Sequence, residues 1–405
     1  MNSKVYDIIV WGASGFTGKL VTEYLYKKYG INKNLKWAIA GRSNDKLKSI
    51  IKKLNPEIPI FIANVNDISS LNKMVSKTKV ICTTVGPYAK YGTELVDLCI
   101  KNKTHYCDLA GEVQWIRKII DKFHYKAVES KVKIVNSCGF DSIPSDLGVF
   151  YIQEKSKKIF GTKASRIEMR VAGAKGGISG GTYASLSNVN IEAHKNKEIF
   201  KTLINPYGLN PVNEIEGPDG KDLRKIVFDP YSKTWIGPFV MAAINTKIVR
   251  RSNALSGYSY GKNFMYNEAV ISGKGNLGKI KAYMMALPLF ILSIAKPNSL
   301  LKKIIDFFLP KPGQGPSKKN RESGFYNLRF YVNFDGETKA LAKVIGDMDP
   351  GYGSTSKMLA ESAVSLAKDN LNESWGILTP SVAMGKSILK RLRDNAGLTF
   401  NFKKI

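Results

Sequence analysis

The stretch DIIVWGASGFTGKLVTEYL, residues 7–25, decides the fold of this chain. A short apolar run at 8–11 leads into a loop with glycines at 12, 15 and 18, and a segment with apolar residues at helical spacing follows. The order strand, glycine loop, helix is typical of the unit that holds a dinucleotide pyrophosphate at a helix N-terminus. We therefore expect the chain to begin with a nucleotide-binding fold.

Each glycine of this loop has a physical role in that fold. Gly12 lets the chain turn sharply off the strand, Gly15 lets the phosphates approach the backbone, and Gly18 lets the helix pack closely on the strand. The spacing is G-x-x-G-x-x-G rather than the G-x-G-x-x-G of the NAD fingerprint, and a glycine-rich turn before a helix is the alternative. The loop residues predicted to contact the cofactor are Gly12, Ser14, Gly15, Phe16, Thr17 and Gly18.

Residues 1–145 alternate between strand-like and helix-like segments. The apolar strand candidates are 8–11, 37–40, 60–63, 80–84, 106–109 and 134–137. This alternation predicts an α/β fold with a Rossmann-type, doubly wound parallel sheet. Because ligands bind outside the carboxyl ends of such strands, the residues that follow each strand are the candidates for function.

The residues after the second strand indicate which dinucleotide is bound. Arg42 stands where an NAD site would place an acidic residue, and Ser43 and Lys46 are close to it. A cation and a hydroxyl favour a 2′-phosphate, so we predict NADP(H) as the cofactor. The alternative is a surface arginine beside a helix cap. Asn64, after the third strand, is expected to lie along the adenine.

The residues after the fourth strand are TTVGPYAKYG, 83–92. Thr84, Gly86 and Pro87 are predicted to lie at the nicotinamide, because this loop faces the glycine loop across the switch point of the sheet. Tyr88 and Tyr91 would then stand beside the ring as candidate proton donors. The alternative for both tyrosines is a packing role with a solvated hydroxyl.

The residues after the sixth strand, 138–150, begin a further helix. Asp141 or Ser142 would cap it, and Pro144 would lie in its first turn. Asp141 is as well explained by capping as by catalysis. Ser142 is a third candidate donor for the reaction.

From about residue 146 the pattern changes, and 146–350 is predicted to be an inserted α+β domain that binds substrate and carries the contacts of a homodimer. Strand-like segments at 167–171 and 326–332 are separated by long inserts. The glycine-rich stretch 173–185 either lets a substrate approach the backbone or is a flexible loop before a helix. Arg250 and Arg251 either meet an anionic group or are solvated.

The most apolar stretch is 282–295, within a hydrophobic region at 282–309. It is too short to span a bilayer, which needs about 20 apolar residues, and Pro288 interrupts it. Lysines on both sides favour an interfacial anchor on an anionic membrane surface. A buried core helix, or a lid over an apolar channel, fits equally well. Residues 351–405 are predicted to form helices that return to the first domain.

Composition narrows the class of protein. A net charge of +29 favours anionic partners, but no nucleic-acid-binding motif accompanies it, so we expect no nucleic-acid partner. The three histidines lack metal-ligand spacing, and no metal is expected. The four cysteines form no C-x-x-C pair, and the first residues lead directly into a strand. We therefore expect a cytoplasmic protein, with the anchor placing it at the inner face of the membrane.

A series of motifs in order carries a family resemblance, from Asp7 to about Met384. They are GASGFTGKL (12–20), WAIAGRSNDKL (37–47), TTVGPYAKYG (83–92), AGE (110–112), CGFDSIPSDLGV (138–149), KGGISGGTYAS (175–185), NTKIVRRSNAL (245–255), PKPGQGPS (310–317), DPGYGSTSKML (349–359) and GILTPSVAMG (376–385). Together they resemble the saccharopine dehydrogenase-like oxidoreductases. The later motifs look most like the bacterial trans-acting enoyl reductases.

The resemblance implies a Rossmann domain, an inserted substrate domain and NADP(H). It also implies hydride delivery to the activated C=C bond of a lipid or polyketide intermediate. Tyr88, Tyr91 or Ser142 would then protonate or stabilise the enolate. Two alternatives stay open: oxidoreduction of a C–N bond, and a non-catalytic nucleotide-binding protein associated with lipid or membrane.

Overall fold

The chain folds around two seven-stranded β-sheets. The structure, a computed structural model, describes residues 4–31, 33–176, 180–294, 299 and 315–405. One sheet is parallel and contains the glycine loop, and the other is mixed. The predicted α/β fold, with a Rossmann-type parallel sheet followed by a second region of strands and helices, is confirmed.

The first sheet has the strand order β13-β6-β5-β4-β1-β2-β3, and all its pairings are parallel. Its strands are β1 (Tyr6–Trp11), β2 (Trp37–Gly41), β3 (Ile60–Ile62), β4 (Thr78–Thr83), β5 (His105–Cys107), β6 (Lys133–Val135) and β13 (Gly376–Leu378). Strands β1 and β2 are buried along nearly their whole length, as expected where helices cover both faces of a parallel sheet. The order reverses between β1 and β4, so ligands are expected at the carboxyl ends of these two strands.

Helices connect the strands of the first sheet. They are α1 (Phe16–Tyr29), α2 (Asn44–Leu54), α3 (Ile68–Val75), α4 (Tyr88–Tyr91), α5 (Thr93–Lys101), α6 (Val113–Glu129) and α7 (Ile143–Phe160). Helix α7 has Pro144 in its first turn and ends at Gly161, which adopts φ +73°. It leads the chain from the first sheet into the second.

The second sheet has the order β14-β12-β11-β7-β10-β9-β8. Its strands are β7 (Arg166–Lys175), β8 (Val227–Asp229), β9 (Thr234–Gly237), β10 (Met265–Gly273), β11 (Phe325–Phe334), β12 (Glu337–Gly346) and β14 (Leu398–Lys404). The remaining helices are α8 (Gly180–Lys195), α9 (Lys197–Ile204), α10 (Ala242–Leu255), α11 (Gly275–Ile294), α12 (Lys318–Glu322), α13 (Thr355–Lys368) and α14 (Pro380–Asp394), with a π-helical turn at Pro350–Ser354. Of the glycine-rich stretch 173–185, residues 173–175 end β7 and residues 180–185 begin α8, while 177–179 lie outside the described residues.

The C-terminal region joins the two sheets. Helix α13 packs against α1, β1, β4 and β5, and helix α14 packs against α7. In addition, β13 pairs with β6 of the first sheet and β14 pairs with β12 of the second. The helical patterning of residues 351–405 predicts neither strand, because both are short or lie at the end of the chain.

Arg250 and Arg251 are neither solvated nor placed to meet an anionic ligand, so both sequence interpretations of this pair are wrong. Arg250 is buried and pairs with Asp219 at 2.7 Å. Arg251 is also buried and donates to the carbonyl oxygens of Leu209 and Ile377. Both side chains hold the interior of the fold together.

The exposure of the side chains on helix α11 excludes one of the three interpretations of the apolar stretch 282–295. Most of its large apolar side chains are exposed, namely Leu277, Ile280, Tyr283, Met284, Met285, Leu287 and Phe290. The interpretation as a buried core helix is therefore wrong. Among the described residues, no helix combines the length and apolarity that crossing a bilayer requires. Residues 295–298 and 300–314, which include the second apolar run and most of PKPGQGPS, lie outside the described residues.

Candidate cofactor and active site

The glycine loop after β1 has the geometry of an anion cradle. Gly12 adopts φ +87°, and a Cβ at Gly18 would lie 2.2 Å from the carbonyl oxygen of Gly12. These two positions therefore require glycine for backbone reasons alone. A Cβ at Gly15 would meet only the Gly12 oxygen, at 3.3 Å. The side of Gly15 that faces away from the protein is thus open to a ligand.

The N-terminus of α1 is free to bind that ligand. Gly15 occupies the N-cap position and supplies no side chain to cap the helix, and the first turn contains no acidic residue. The first N–H groups of a helix have no partner within the helix, and its dipole attracts anions. A pyrophosphate group fits these donors, so the residues present fit a dinucleotide.

The Phe16 side chain, at the start of α1, is held by residues from the far end of the chain. Its ring packs edge-on against Tyr352 with centroids 4.6 Å apart, and the Arg321 guanidinium lies 5.4 Å from the ring. A Cβ at Gly315 would lie 2.6 Å from the same ring. Sequence reasoning missed Arg321 and Tyr352. Tyr352 lies in the family motif at 349–359, which was the signal for it, whereas no quoted motif contains Arg321.

Arg42 follows directly on the end of β2 at the carboxyl edge of the sheet. It is exposed and has no hydrogen-bond or ion-pair partner among the described residues. Ser43 caps α2 through its hydroxyl, which accepts from the Lys46 backbone N–H at 3.4 Å. The capping role considered for this loop therefore belongs to Ser43, and the guanidinium of Arg42 is available for a phosphate.

The loops after β3 and β4 complete the cofactor side of the site. The Asn64 side chain accepts from the Asn66 N–H at 3.1 Å and shapes the loop after β3. The Thr84 hydroxyl donates to the carbonyl oxygen of Gly12 at 3.2 Å, which ties the end of β4 to the glycine loop. Gly86 and Pro87 follow and lead into the short helix α4. The loop after β4 lies at the switch point of the sheet, whereas the loop after β3 lies at its edge.

Tyr88 lies inside the protein rather than on the cleft surface. Its hydroxyl donates to the Thr83 carbonyl at 3.3 Å and accepts from the Leu109 N–H at 3.2 Å, and its ring stacks on Trp115. Burial raises the pKa of this hydroxyl well above its ordinary value. The ring therefore packs inside the protein, as in the alternative to catalysis, but the hydroxyl is bonded to backbone groups and is not solvated.

Glu112, which sequence reasoning passed over, holds the β4 loop in place. Its carboxylate accepts from the backbone N–H groups of Tyr88 and Ala89 at 2.7 and 3.0 Å. It also accepts from the Ser185 hydroxyl on α8 at 3.0 Å, and burial raises its pKa. Glu112 of the AGE motif thus links the loop after β5 to the residues that follow β4 and to helix α8.

The other two candidate donors have different surroundings. Tyr91, at the end of α4, is 41% exposed. Ser142 occupies the N-cap position of α7 without capping it, and its buried hydroxyl has no hydrogen-bond partner among the described residues. The catalytic roles of Tyr88, Tyr91 and Ser142 stay predictions.

Two acidic side chains influence each other electrostatically beyond the ends of β5 and β6. Asp141 is half-buried, and its Oδ2 lies 3.6 Å from the position that a Cβ of Gly111 would occupy. Glu268, on β10 of the second sheet, is buried. Burial, with the Glu268 carboxylate as a second cause, raises the pKa of Asp141 to about 7. The sequence treated Asp141 as a cap or a catalyst and did not single out Glu268.

Comparison with known families and proteins identifies the nucleotide-binding half. Residues 8–135 match the family model of the saccharopine dehydrogenase NADP binding domain. A putative trans-acting enoyl reductase of Mycobacterium tuberculosis is 36% identical over 401 residues, which cover 96% of this chain and 95% of that protein. A trans-acting enoyl reductase of Mycobacterium leprae is 33% identical over 427 residues, covering 100% of this chain and 99% of that protein.

The fold also has a solved counterpart. Saccharopine dehydrogenase (L-Glu forming) from Saccharomyces cerevisiae superposes with a TM-score of 0.57 over 99% of this chain and 100% of that chain, at 13% identity. At this identity the likeness concerns the fold alone. The comparisons confirm the predicted family resemblance and NADP(H) as the cofactor, and the protein is an NADP-dependent oxidoreductase.

Proposed function

The chain belongs to the trans-acting enoyl reductase family, and we propose that it reduces the activated C=C bond of a lipid or polyketide-type intermediate. The observation that carries this proposal is the extent of the similarity to relatives with that name, which spans both sheets and not only the nucleotide-binding half. The substrate side of the cleft is therefore shared with them as well. A saccharopine dehydrogenase-type reaction on a C–N bond has in its favour a likeness of fold and the family of the NADP binding domain at residues 8–135, which does not reach the second sheet.

The chain's own residues divide the work between two sides of the cleft. Gly15 and the N-terminus of α1 hold the pyrophosphate, and Arg42 binds the 2′-phosphate. NADPH, when bound, supplies a hydride. Tyr91 or Ser142 donates a hydrogen bond to the enolate oxygen of the substrate, where negative charge develops. Tyr88, whose hydroxyl is occupied by backbone groups, positions the loop between them.

The reaction is tested with purified protein, NADPH and an α,β-unsaturated acyl thioester. We expect NADPH consumption at 340 nm, with the saturated thioester identified by mass spectrometry. Tyr91→Phe or Ser142→Ala, whichever removes the donor, should lower turnover while leaving NADPH affinity unchanged. Oxidation of NADPH with an imino acid and not with the enoyl thioester would instead support the C–N alternative. Cofactor binding without turnover on either substrate would support a non-catalytic protein.

We further infer that α11 docks on an anionic membrane surface. Its exposed apolar side chains include Met284 and Phe290, and the exposed lysines 274, 279 and 281 flank them. Apolar residues beside lysines on a protein of net charge +29 are complementary to anionic lipid. An enzyme at this surface would meet a lipidic substrate directly.

Membrane docking is tested by sedimentation with vesicles that contain anionic lipid. We expect the wild-type protein to sediment with them, and the Met284→Glu/Phe290→Glu variant to stay in the supernatant. Lys52→Glu is the matched control, because it reduces the net charge on an exposed part of α2 far from α11. If the double variant instead changes a dimer into a monomer and leaves sedimentation unaltered, the face binds a second copy of the chain and the membrane proposal is wrong.

A further inference from the structure

Polar side chains from two helices and one strand surround the Glu268 carboxylate. Oε1 accepts from the Ser145 hydroxyl at 2.6 Å and the Tyr266 hydroxyl at 2.7 Å, and Oε2 accepts from the Asn245 side-chain amide at 3.0 Å. These donors come from α7, β10 and α10. Three directed hydrogen bonds fix this carboxylate at the junction of the two sheets.

Asp141 differs from Glu268 in having no such partners. Among the described residues no hydrogen bond or ion pair engages its carboxylate, although it is only half-exposed. It lies against Gly111 in the β5 loop, where the missing side chain leaves room next to its Oδ2. The carboxylate is therefore placed at the carboxyl edge of the first sheet, where a substrate would reach it.

Two buried polar atoms next to these carboxyl groups also lack a partner in the described part of the chain. One is the amide oxygen of Asn245, whose nitrogen is bonded to Glu268. The other is the hydroxyl of Ser142, which directly follows Asp141 in the chain. Both side chains are at most 1% exposed. Buried polar atoms without partners are rare, and at this place they indicate that a bound ligand completes the hydrogen bonding.

Charge in this region favours a neutral Asp141. Burial raises the pKa of Glu268 and its three hydrogen-bond donors lower it, while Asp222, in the loop between α9 and β8, contributes a further rise; the net value is about 7. Lys247 on α10 interacts electrostatically with Asp222, and burial lowers the pKa of this lysine to about 8. The pKa of Asp141 is raised to about 7 for the reasons given above. A carboxylic acid that stays protonated near neutral pH can donate a proton.

We infer that Asp141 protonates the α-carbon of the reduced substrate and that the negative charge of the neighbouring Glu268 keeps this proton on Asp141 until it is transferred. This inference rests on the proposed enoyl reduction. The electron pair of the enolate forms the new Cα–H bond with the Asp141 proton, and the O–H electron pair stays on the carboxylate. Water then returns a proton to Asp141, which its partial exposure allows.

The protonation state of Asp141 is measured directly by ¹³C NMR of the full-length protein labelled at its aspartate carboxyl carbons. We expect one resonance that titrates near pH 7 and is absent from Asp141→Asn. In Glu268→Gln the same resonance should titrate at lower pH, because removal of a neighbouring negative charge favours the ionised acid. An Asp141 resonance that titrates near pH 4, or that does not move in Glu268→Gln, would overturn the inference.

Turnover with NADPH and the enoyl thioester separates this inference from the proposed function. Asp141→Asn should lower turnover by about 100-fold or more, with NADPH affinity changed less than twofold. The wild-type rate should decrease as pH rises through about 7, since the acid must be protonated, and Glu268→Gln should move this decrease to lower pH.

Asp146→Asn is the matched control: it removes a buried carboxyl group whose bonds to Ser252 and Ser381 are structural, and it should leave the pH dependence unchanged. If the wild type turns over and Asp141→Asn equals it, the inference fails while the function stands. If the wild type does not reduce the thioester, both fail.

Discussion

At the scale of single residues, the three loop glycines do different work, and substitution should separate them. Gly18→Ala places a methyl group against the Gly12 carbonyl oxygen, so we expect the free energy of unfolding to fall by about 1–3 kcal/mol. Gly15→Ala meets only a mild contact and should leave the melting temperature almost unchanged, while weakening NADPH binding about tenfold or more. Thermal melts and fluorescence titration with NADPH measure both. Equal losses of stability in the two variants would contradict this assignment.

Arg42 should determine the choice between NADPH and NADH. A charge-assisted contact with the 2′-phosphate contributes about 1.5–3 kcal/mol, so Arg42→Ala should raise the Kd for NADPH by about 10- to 100-fold. The Kd for NADH should hardly change, because NADH has no phosphate at this position. Lys52→Ala, on the last turn of α2, the helix that begins just after Arg42, is the control for a general loss of positive charge. An equal loss for both cofactors would show that Arg42 does not read the phosphate.

The Asp141 carboxylate, once ionised, should lower the stability of the folded protein at alkaline pH. This is expected of a group whose role is in the reaction rather than in stabilising the fold. The folded-state pKa of about 7 exceeds the ordinary value of 3.8, so the folded protein binds more protons than the unfolded chain between these values. Stability contributed by this site is therefore lost as pH rises through this range. We expect Asp141→Asn to raise the melting temperature at pH 8 and to bring little gain at pH 4. Asp146→Asn should lower it at both, since it removes a hydrogen-bonded carboxyl group.

At the scale of elements, α10 shows how tertiary contacts override a sequence pattern. The paired arginines at 250 and 251 were read as a cationic surface, yet α10 is covered along most of its length. Burial of such groups is tolerated only with partners, and Asp219 together with several backbone carbonyls provides them. The acid that neutralises Arg250 lies in a loop without regular structure, where periodicity gives no information.

The buried ion pair between Arg250 and Asp219 should be important for the stability of the fold. Arg250→Met leaves the Asp219 carboxylate buried without its cation, so we expect unfolding free energy to fall by about 3–5 kcal/mol. Lys201→Met, which removes a fully solvated ion pair with Glu198, should cost less than about 1 kcal/mol. Denaturant titrations compare the two. A loss of anion binding by Arg250→Met with unchanged stability would restore the original surface interpretation.

At the scale of the whole molecule, the C-terminal region makes the two sheets one cooperative structure. Residues 351–405 add β13 to the first sheet and β14 to the second, and α13 and α14 lie between them. The Phe400 side chain on β14 is buried and contacts the Tyr151 ring of α7. A substitution that destabilises the second sheet should therefore also destabilise the cofactor loop in the first.

Phe400→Ala tests this cooperativity. Removing a buried phenylalanine ring costs about 3–5 kcal/mol, so the melting temperature should fall clearly. We expect the fall to be the same whether unfolding is followed by circular dichroism or by loss of bound NADPH fluorescence. Thr399→Ala, an exposed neighbour on the same strand, is the control and should be nearly neutral. Separate transitions for the two probes would show that the sheets unfold independently.

Local sequence alone determined the βα unit at residues 7–25, the parallel sheet and the preference for NADP(H). The reason is that strand, turn and helix signals, and the residues that end a strand, act over a few positions of the chain. The same reasoning could not place Glu268 beside Asp141, bury Arg250, or hold Phe16 under Tyr352, because each of these pairs joins segments that are distant in sequence. It also left three interpretations open for the apolar stretch, namely a membrane anchor, a buried core helix and a lid. An apolar sequence predicts that a segment is in contact with something apolar, but it does not say what the partner is. Only the tertiary structure decided the first three points and excluded a buried core helix for the apolar stretch, because burial, charge pairing and exposure depend on which elements pack together.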